Sequence, residues 1–279
     1  MNLKILIVTD GSPEAEKALA FSATIVQRST DLPTILAFVN GSGESDPSQT
    51  ADIIDRAIQM IGIDNAHTRV LSGELTEGIV QEAESGGYDL IILGDQIPEG
   101  FFSRIRGSSP GIRVAECAPC SVLIIRGDYP KIHRILLCDS GAGRSSLLSR
   151  LVLQLSDLLE GEEDVTVLHV MSQISAGPGV RGKQLRADAI ELVEEHSPEG
   201  EILENDLQML SKPGIHPLPK VRHGLVVDEI LAEARGGEYD LVVVGAHPVR
   251  SPQSLLLDNI AHQILKRISR PILVVRERE

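Results

Sequence analysis

The chain has 279 residues, enough for about two domains, and each half is long enough to bury a full core. It carries 26 Lys+Arg against 40 Asp+Glu, a formal net charge of −14, which argues against DNA, RNA or an anionic membrane surface as the main partner, because each needs a net positive footprint. With no Trp, three Tyr and four Phe, a stacking platform for single-stranded nucleic acid is hard to build, and no apolar run approaches the ~20 residues of a membrane-spanning helix.

Met1-Asn2-Leu3-Lys4 leads straight into a strand-like segment, without the layout of a secretory signal. Short β-branched runs at 3–9, 34–39, 67–71, 88–93 and 121–126 predict strands. Helical patterns lie between them, near 13–28, 47–61, 76–85 and 108–117. The strand runs carry almost no polar interruptions, as expected of strands covered on both faces. Ser12 before Pro13 predicts a helix start with Ser as cap. Gly62 and Gly86-Gly87 read as helix stops. Five strands alternating with four helices imply a parallel sheet with helices on both faces.

Gly127-Asp128-Tyr129-Pro130 is turn-prone and too short for a flexible tether. Beyond it the same order returns, with strands expected at 132–138, 165–170, 218–222, 239–244 and 271–276. The second set departs in one place, an insertion at about 171–210. Its first part, 171–183, is rich in Gly, Ser and Pro and reads as a loop, and helical patterns follow near 184–196 and 198–210, split at Ser197-Pro198. The insertion is acidic, with Asp188, Glu191, Glu194, Glu195, Glu199, Glu201, Glu204 and Asp206. A solvated helix face is the simpler reading, and a docking surface for a basic partner is the other.

The two sets are copies. Gly-Gly-Tyr-Asp-Leu-Ile-Ile-Leu-Gly at 86–94 matches Gly-Gly-Glu-Tyr-Asp-Leu-Val-Val-Val-Gly at 236–245. The starts match, Ile5 to Asp10 against Arg134 to Asp139, and so do the ends, Pro119 to Arg126 against Pro271 to Arg276. In an open parallel sheet, ligands bind beyond the carboxyl ends of the strands where strand order reverses. The residues to inspect are Thr9-Asp10-Gly11-Ser12, Val39-Asn40-Gly41, Ser72-Gly73 and the stretch from Gly94. An Asp after the first strand can accept from a ribose or an adenine amine, and a glycine-bearing loop can bring N–H groups close to phosphate.

Three segments carry a family resemblance: Asp10-Gly11-Ser12, Tyr88-Asp89-Leu90-Ile91-Ile92-Leu93-Gly94, and Ala118-Pro119-Cys120-Ser121-Val122-Leu123-Ile124. Over nearly its whole length the chain resembles the universal stress protein family in tandem form. The resemblance implies an α/β fold of two Rossmann-like (adenine nucleotide alpha hydrolase-like) domains, 1–127 and 132–279. Each would be a five-stranded parallel sheet with helices on both faces, and the two would pack through their last strands as a pseudo-dimer. The family's nucleotide-binding members carry a phosphate loop, Gly-x2-Gly-x9-Gly-Ser/Thr, after the fourth strand. Here that register gives Gly94, Ile97 and Gly107-Ser108. Ile97 replaces the glycine that would allow positive φ and close backbone approach, while Gly107-Ser108 should still open a helix whose dipole favours an anion.

The implied site is Thr9, Asp10, Gly11, Ser12, Val39, Gly94, Ile97, Gly107 and Ser108, taking ATP or another adenine nucleotide weakly in the first domain only. In the second domain the register falls on Gly245, Pro248 and Asp258-Asn259. Pro248 lacks an N–H, and Asp258 would set a carboxylate where a phosphate belongs. No catalytic residues and no metal ligands emerge. The expectation is a cytoplasmic stress-response regulator that is not an enzyme. The alternative is a nucleotide-independent interaction protein whose sites are remnants. Its partners would be the sister domain, a second copy of the chain as a homodimer, or another protein.

Two other constellations stand out in the sequence. Cys117-Ala118-Pro119-Cys120 has dithiol spacing, but it ends a helix, where the dipole has the wrong sign to lower a thiol pKa; buried small hydrophobe is the simpler role for Cys120. Three cysteines in all suit a reducing compartment. His169, His223 and His247 end or follow strands of the second copy and could converge on a ligand.

Overall fold

The structure, a computed structural model, describes residues 3–39, 47–95, 109–128, 131–139, 145–159, 162–171, 188–246 and 254–277. The first repeat runs β1 (Ile5–Thr9), α1 (Pro13–Val26), β2 (Thr34–Val39), α2 (Pro47–Ile61), β3 (His67–Ser72), α3 (Leu75–Gly86), β4 (Leu90–Gly94), α4 (Pro110–Cys117) and β5 (Ser121–Ile125). The second runs β6 (Arg134–Asp139), α5 (Ser145–Ser156), β7 (Glu163–Met171), α6 (Ala189–Glu194), α7 (Pro198–Leu210), β8 (Ile215–His223), α8 (Val226–Gly236), β9 (Leu241–Gly245), α9 (Ser254–Leu265) and β10 (Ile272–Val275).

Local chemistry sets the element ends. Ser12 caps α1, its hydroxyl accepting from the Ala15 N–H, with Pro13 at the first helical position. Gly62 and Gly87 leave α2 and α3 at φ of 73° and 65°, the left-handed conformation that glycine adopts without a Cβ clash. In the insertion, Asp188 and Glu191 form a reciprocal capping box at α6, and Ser197 caps α7.

All ten strands form one sheet, in the order β3-β2-β1-β4-β5-β10-β9-β6-β7-β8. Each repeat is internally parallel, with order 3-2-1-4-5. The repeats join where β5 and β10 pair antiparallel, with Leu123 opposite Leu273. Each of those strands would otherwise be an uncovered apolar edge. The sheet is buried from both sides. α1, α2, α5 and α7 contribute to one core and α3, α4, α8 and α9 to the other, and both cores run across the junction between repeats. Duplication is visible down to single hydrogen bonds: Tyr88 donates to Glu82 at 3.0 Å, and Tyr239 to Glu233 at 2.7 Å.

Burial corrects the expectation of strands covered on both faces at two places. β3 and β8 are the outer edges, and β3 is exposed along nearly its whole length. On β8 the Gly214 carbonyl accepts from Glu163 and the Gly224 N–H donates to Met171, so even-numbered backbone groups face β7. Pro217 and Pro219 therefore turn their nitrogens to the free edge, where no donor is needed. The acidic insertion is corrected at one residue. Asp206 is fully buried rather than solvated, and it accepts from the Ser149 hydroxyl at 2.6 Å.

Candidate functional site

Strand order reverses between β1 and β4 in the first repeat, and the turn after β1 stands at that switch point. Thr9 is buried and accepts from the Gly11 N–H at 3.3 Å. Asp10 lies at the surface, its Oδ1 accepting from the Ser12 N–H at 2.9 Å. Gly11 adopts φ of 75°, and a Cβ there would stand 3.2 Å from Ile53 Cγ1, so α2 closes directly over the turn. Beside the turn is a cleft of about 150 Å³ whose lining includes Thr9, Gly11, Glu16, Asp52, Ile53 and Arg56. Arg56 pairs with Glu16 at 2.7 Å.

Val39 closes β2 and is buried. Gly94 closes β4, and its missing Cβ is used by the scaffold: one built there would meet the Glu14 carbonyl oxygen at 2.0 Å. The expected helix start moves slightly, because α4 begins at Pro110 with Ser109 as cap. Ile97, Gly107 and Ser108 lie outside the described residues, as do Asn40 and Gly41.

A buried network that sequence reasoning missed follows Gly94. Asp95 is 8% exposed, and its Oδ2 accepts from the Ser109 hydroxyl at 2.6 Å and from Arg126 at 2.9 Å. Arg126 also donates to the Leu265 and Ile268 carbonyls at the end of α9, at 2.7 and 2.9 Å. Arg276 returns the contact, donating to Ala115 and Glu116 at the end of α4, at 3.0 and 3.2 Å. Each repeat thus caps a helix of the other with the arginine that follows its last strand. The matching Arg126 and Arg276 in the repeat alignment were the available signal. The nucleotide fit is therefore uneven. The β1 turn presents a carboxylate suited to ribose or adenine, whereas Gly94, Asp95 and Ser109 are engaged with protein.

In the second repeat, Asp139 ends β6 opposite His169. Asp258 and Asn259 fall within α9, which starts at Ser254. Asp258 is thus the fifth residue of α9. Pro248 and Gly141-Ala142-Gly143 lie outside the described residues. His169 is buried, and that burial lowers its pKa, with Glu199 and Asp206 opposing. His223 stands opposite Met171, two positions further along β7, and His247 is outside the described residues. Among the described residues, no group of three or more His, Cys, Asp or Glu is placed to hold a metal ion. Cys117 is exposed at the end of α4, while Cys120 and Cys138 are buried, and none of the three is in a disulfide.

A doubled, doubly wound α/β sheet with an acidic turn at its switch point is the class that this geometry defines. The chain belongs to the universal stress protein family, whose model matches residues 1–126 and again 132–276. A universal stress protein from Archaeoglobus fulgidus aligns over 98% of both chains at 15% identity and TM-score 0.66. A functionally unknown protein from Pseudomonas aeruginosa aligns over 98% of this chain and 92% of its own, at 18% identity and TM-score 0.65. The cytoplasmic domain of a prokaryotic cation chloride cotransporter also shares the fold, over 99% of this chain and 96% of its own, at 10% identity and TM-score 0.56. No curated protein sequence matches. Among the described residues, no helix is long and apolar enough to cross a membrane.

Proposed function

We propose that the chain is a stress-response regulator that binds ATP or a related adenine nucleotide weakly, in the first repeat only, and acts through a partner surface rather than by turnover. The observation that carries this reading is the β1 turn. Its surface carboxylate, Asp10, stands at the switch point beside the cleft, held in place by Ser12. Weak binding follows from the phosphate end, where Gly94 packs against α1 and Asp95 and Ser109 bond each other. Ile97 adds a β-branched residue to a loop that needs glycine there. The restriction to the first repeat rests on Pro248, which offers no N–H at the corresponding place.

One observation favours the alternative of a nucleotide-independent interaction protein. The cleft encloses about 150 Å³, against roughly 300–1,000 Å³ for typical small-molecule sites. Two measurements decide between the readings. Mass spectrometry of small molecules released from protein purified without added nucleotide should show an adenine nucleotide at no more than one equivalent per chain. Calorimetry with ATP should then show binding abolished by Asp10→Ala and unchanged by Asp139→Ala. The reverse pattern would move the site to the second repeat, and no nucleotide in either assay would leave the interaction reading.

A further inference from the structure

We propose that His169 is the trigger of an acid-released latch in the second repeat: when its buried imidazole takes a proton, α7, and with it the acidic insertion, loosens from the sheet. The proposal stands apart from the nucleotide reading and uses neither repeat's phosphate end.

Val165 and Val167 of β7 lie in the core shared with α5 and α7. Side chains on a strand return to the same face every second residue, so His169 points toward those helices. It is 7% exposed, and its Nδ1 has no hydrogen-bond partner among the described residues. From α7, Asp206 and Glu199 act on it electrostatically. Asp206 is fully buried and accepts from the Ser149 hydroxyl of α5 at 2.6 Å. On the neighbouring strands, Asp139 of β6 and Val221 of β8 stand at the paired positions. A proton on His169 therefore sets a cation in the water-poor layer between β7 and α7. The two carboxylates of α7 offset part of that cost, but desolvation is the larger effect and favours the neutral imidazole.

The first repeat builds the same place from alanines. At the last paired step of β1 and β2, Thr9 stands beside Ala37, where β6 and β7 bring Asp139 beside His169. Asp206 lies one turn before Leu210, the end of α7, as Ala57 lies one turn before Ile61, the end of α2. α2 therefore serves as a matched helix without the trigger. In the second repeat α6 is seated on α7: a Cβ built on Gly200 would meet the Leu192 carbonyl oxygen at 2.0 Å, and the Ser197 hydroxyl donates to that carbonyl at 3.1 Å. Leu192 in turn packs with Met171 and Val221. Release of the helix pair thus uncovers apolar surface of β7 and β8. Linkage sets the direction. An opened α7 exposes the imidazole, which then takes its proton at the ordinary 6.5. The latch is at full strength above that pH and weakens as pH falls from 6.5 toward the lower value of the closed state.

Hydrogen exchange on the full chain at pH 7.5 and pH 5.5, expressed as protection against the intrinsic rate at each pH, tests this in peptides from α7, with peptides from α2 as the reference in the same molecule. Protection of α7 should fall at least about threefold between the two pH values, while that of α2 holds. In His169→Gln, which cannot titrate there, α7 protection should stay level across the same range, whatever its absolute value. No fall in the wild type, an equal fall in α2, or a fall that persists in His169→Gln overturns the proposal, the last by moving the trigger to Asp206. If His169→Gln fails to fold, NMR titration of the wild-type imidazole decides: a midpoint below 6.5 supports the latch, and a midpoint at or above 6.5 refutes it.

Discussion

Glu163 opens β7 at 1% exposure, its N–H donating to Gly214 while its Oε1 has no hydrogen-bond partner among the described residues. Burial pushes its pKa from 4.5 up to about 7, with His133, its own backbone N–H and Arg28 pulling the other way. The sign follows from linkage. A carboxyl with a raised folded pKa holds its proton more tightly in the native state, so its relative contribution is best below pH 4.5 and is lost as pH rises to about 7. At ~1.4 kcal/mol per pH unit, the ionised group costs the folded chain on the order of 3 kcal/mol. Glu163→Gln cannot ionise and fills the same space. Urea unfolding at pH 8 should therefore show the variant more stable by roughly 2–3 kcal/mol, with the gain falling below about 1 kcal/mol at pH 5. An equal effect at both pH values, or destabilisation at pH 8, would mean that Glu163 is not desolvated in its charged form.

Other expectations follow from packing. Arg276→Met strips two charge-assisted bonds from the end of α4 and should cost about 1–3 kcal/mol in chemical denaturation. Gly94→Ala drives a Cβ to 2.0 Å from the Glu14 carbonyl oxygen and should cost at least about 1–3 kcal/mol; Gly236→Ala, with nothing within 4 Å, should be neutral or slightly stabilising by the same assay. A thiol reagent such as Ellman's should titrate Cys117 alone in the native chain and all three cysteines in denaturant; fast reaction of Cys120 or Cys138 under native conditions would contradict their burial.

The repeat and the strands were legible because fully buried parallel strands leave a strong local signature: β1, β4 and β9 are apolar runs bounded by glycine or polar turns. The edges were harder. β3 has β-strand composition but stands at the rim, and nothing within a strand's own sequence states how many neighbours cover it. Asp206 did leave a trace. It lies on the buried face of α7 with Gly200, Leu203 and Leu210, so helical periodicity would have placed it inward had the acid count not suggested a solvated surface. At the candidate site, the β1 turn was readable from Thr9 to Ser12 because cap and turn chemistry are local. The Asp95–Arg126 contact joins residues 31 positions apart, and Arg126 reaches α9 across a further 139. The first is a long-range contact within one repeat, and the second exists only once two copies of the fold are placed edge to edge.

The prolines on β8 bear on assembly. Duplication buries β5 and β10 against each other, so the sheet has two unlike ends, β3 and β8. If the β3 rim of one molecule could dock on the β8 rim of the next, the contact would be head-to-tail and would generate an open fibre rather than a closed oligomer. Pro217 and Pro219 remove two donors from the rim that such growth requires. Of the two ends, β3 alone keeps an uninterrupted row of backbone donors, and pairing between two β3 rims would be self-limiting, ending at a dimer. The two ends of the sheet are thus chemically different, and the β8 rim offers fewer donors to such growth than the β3 rim does.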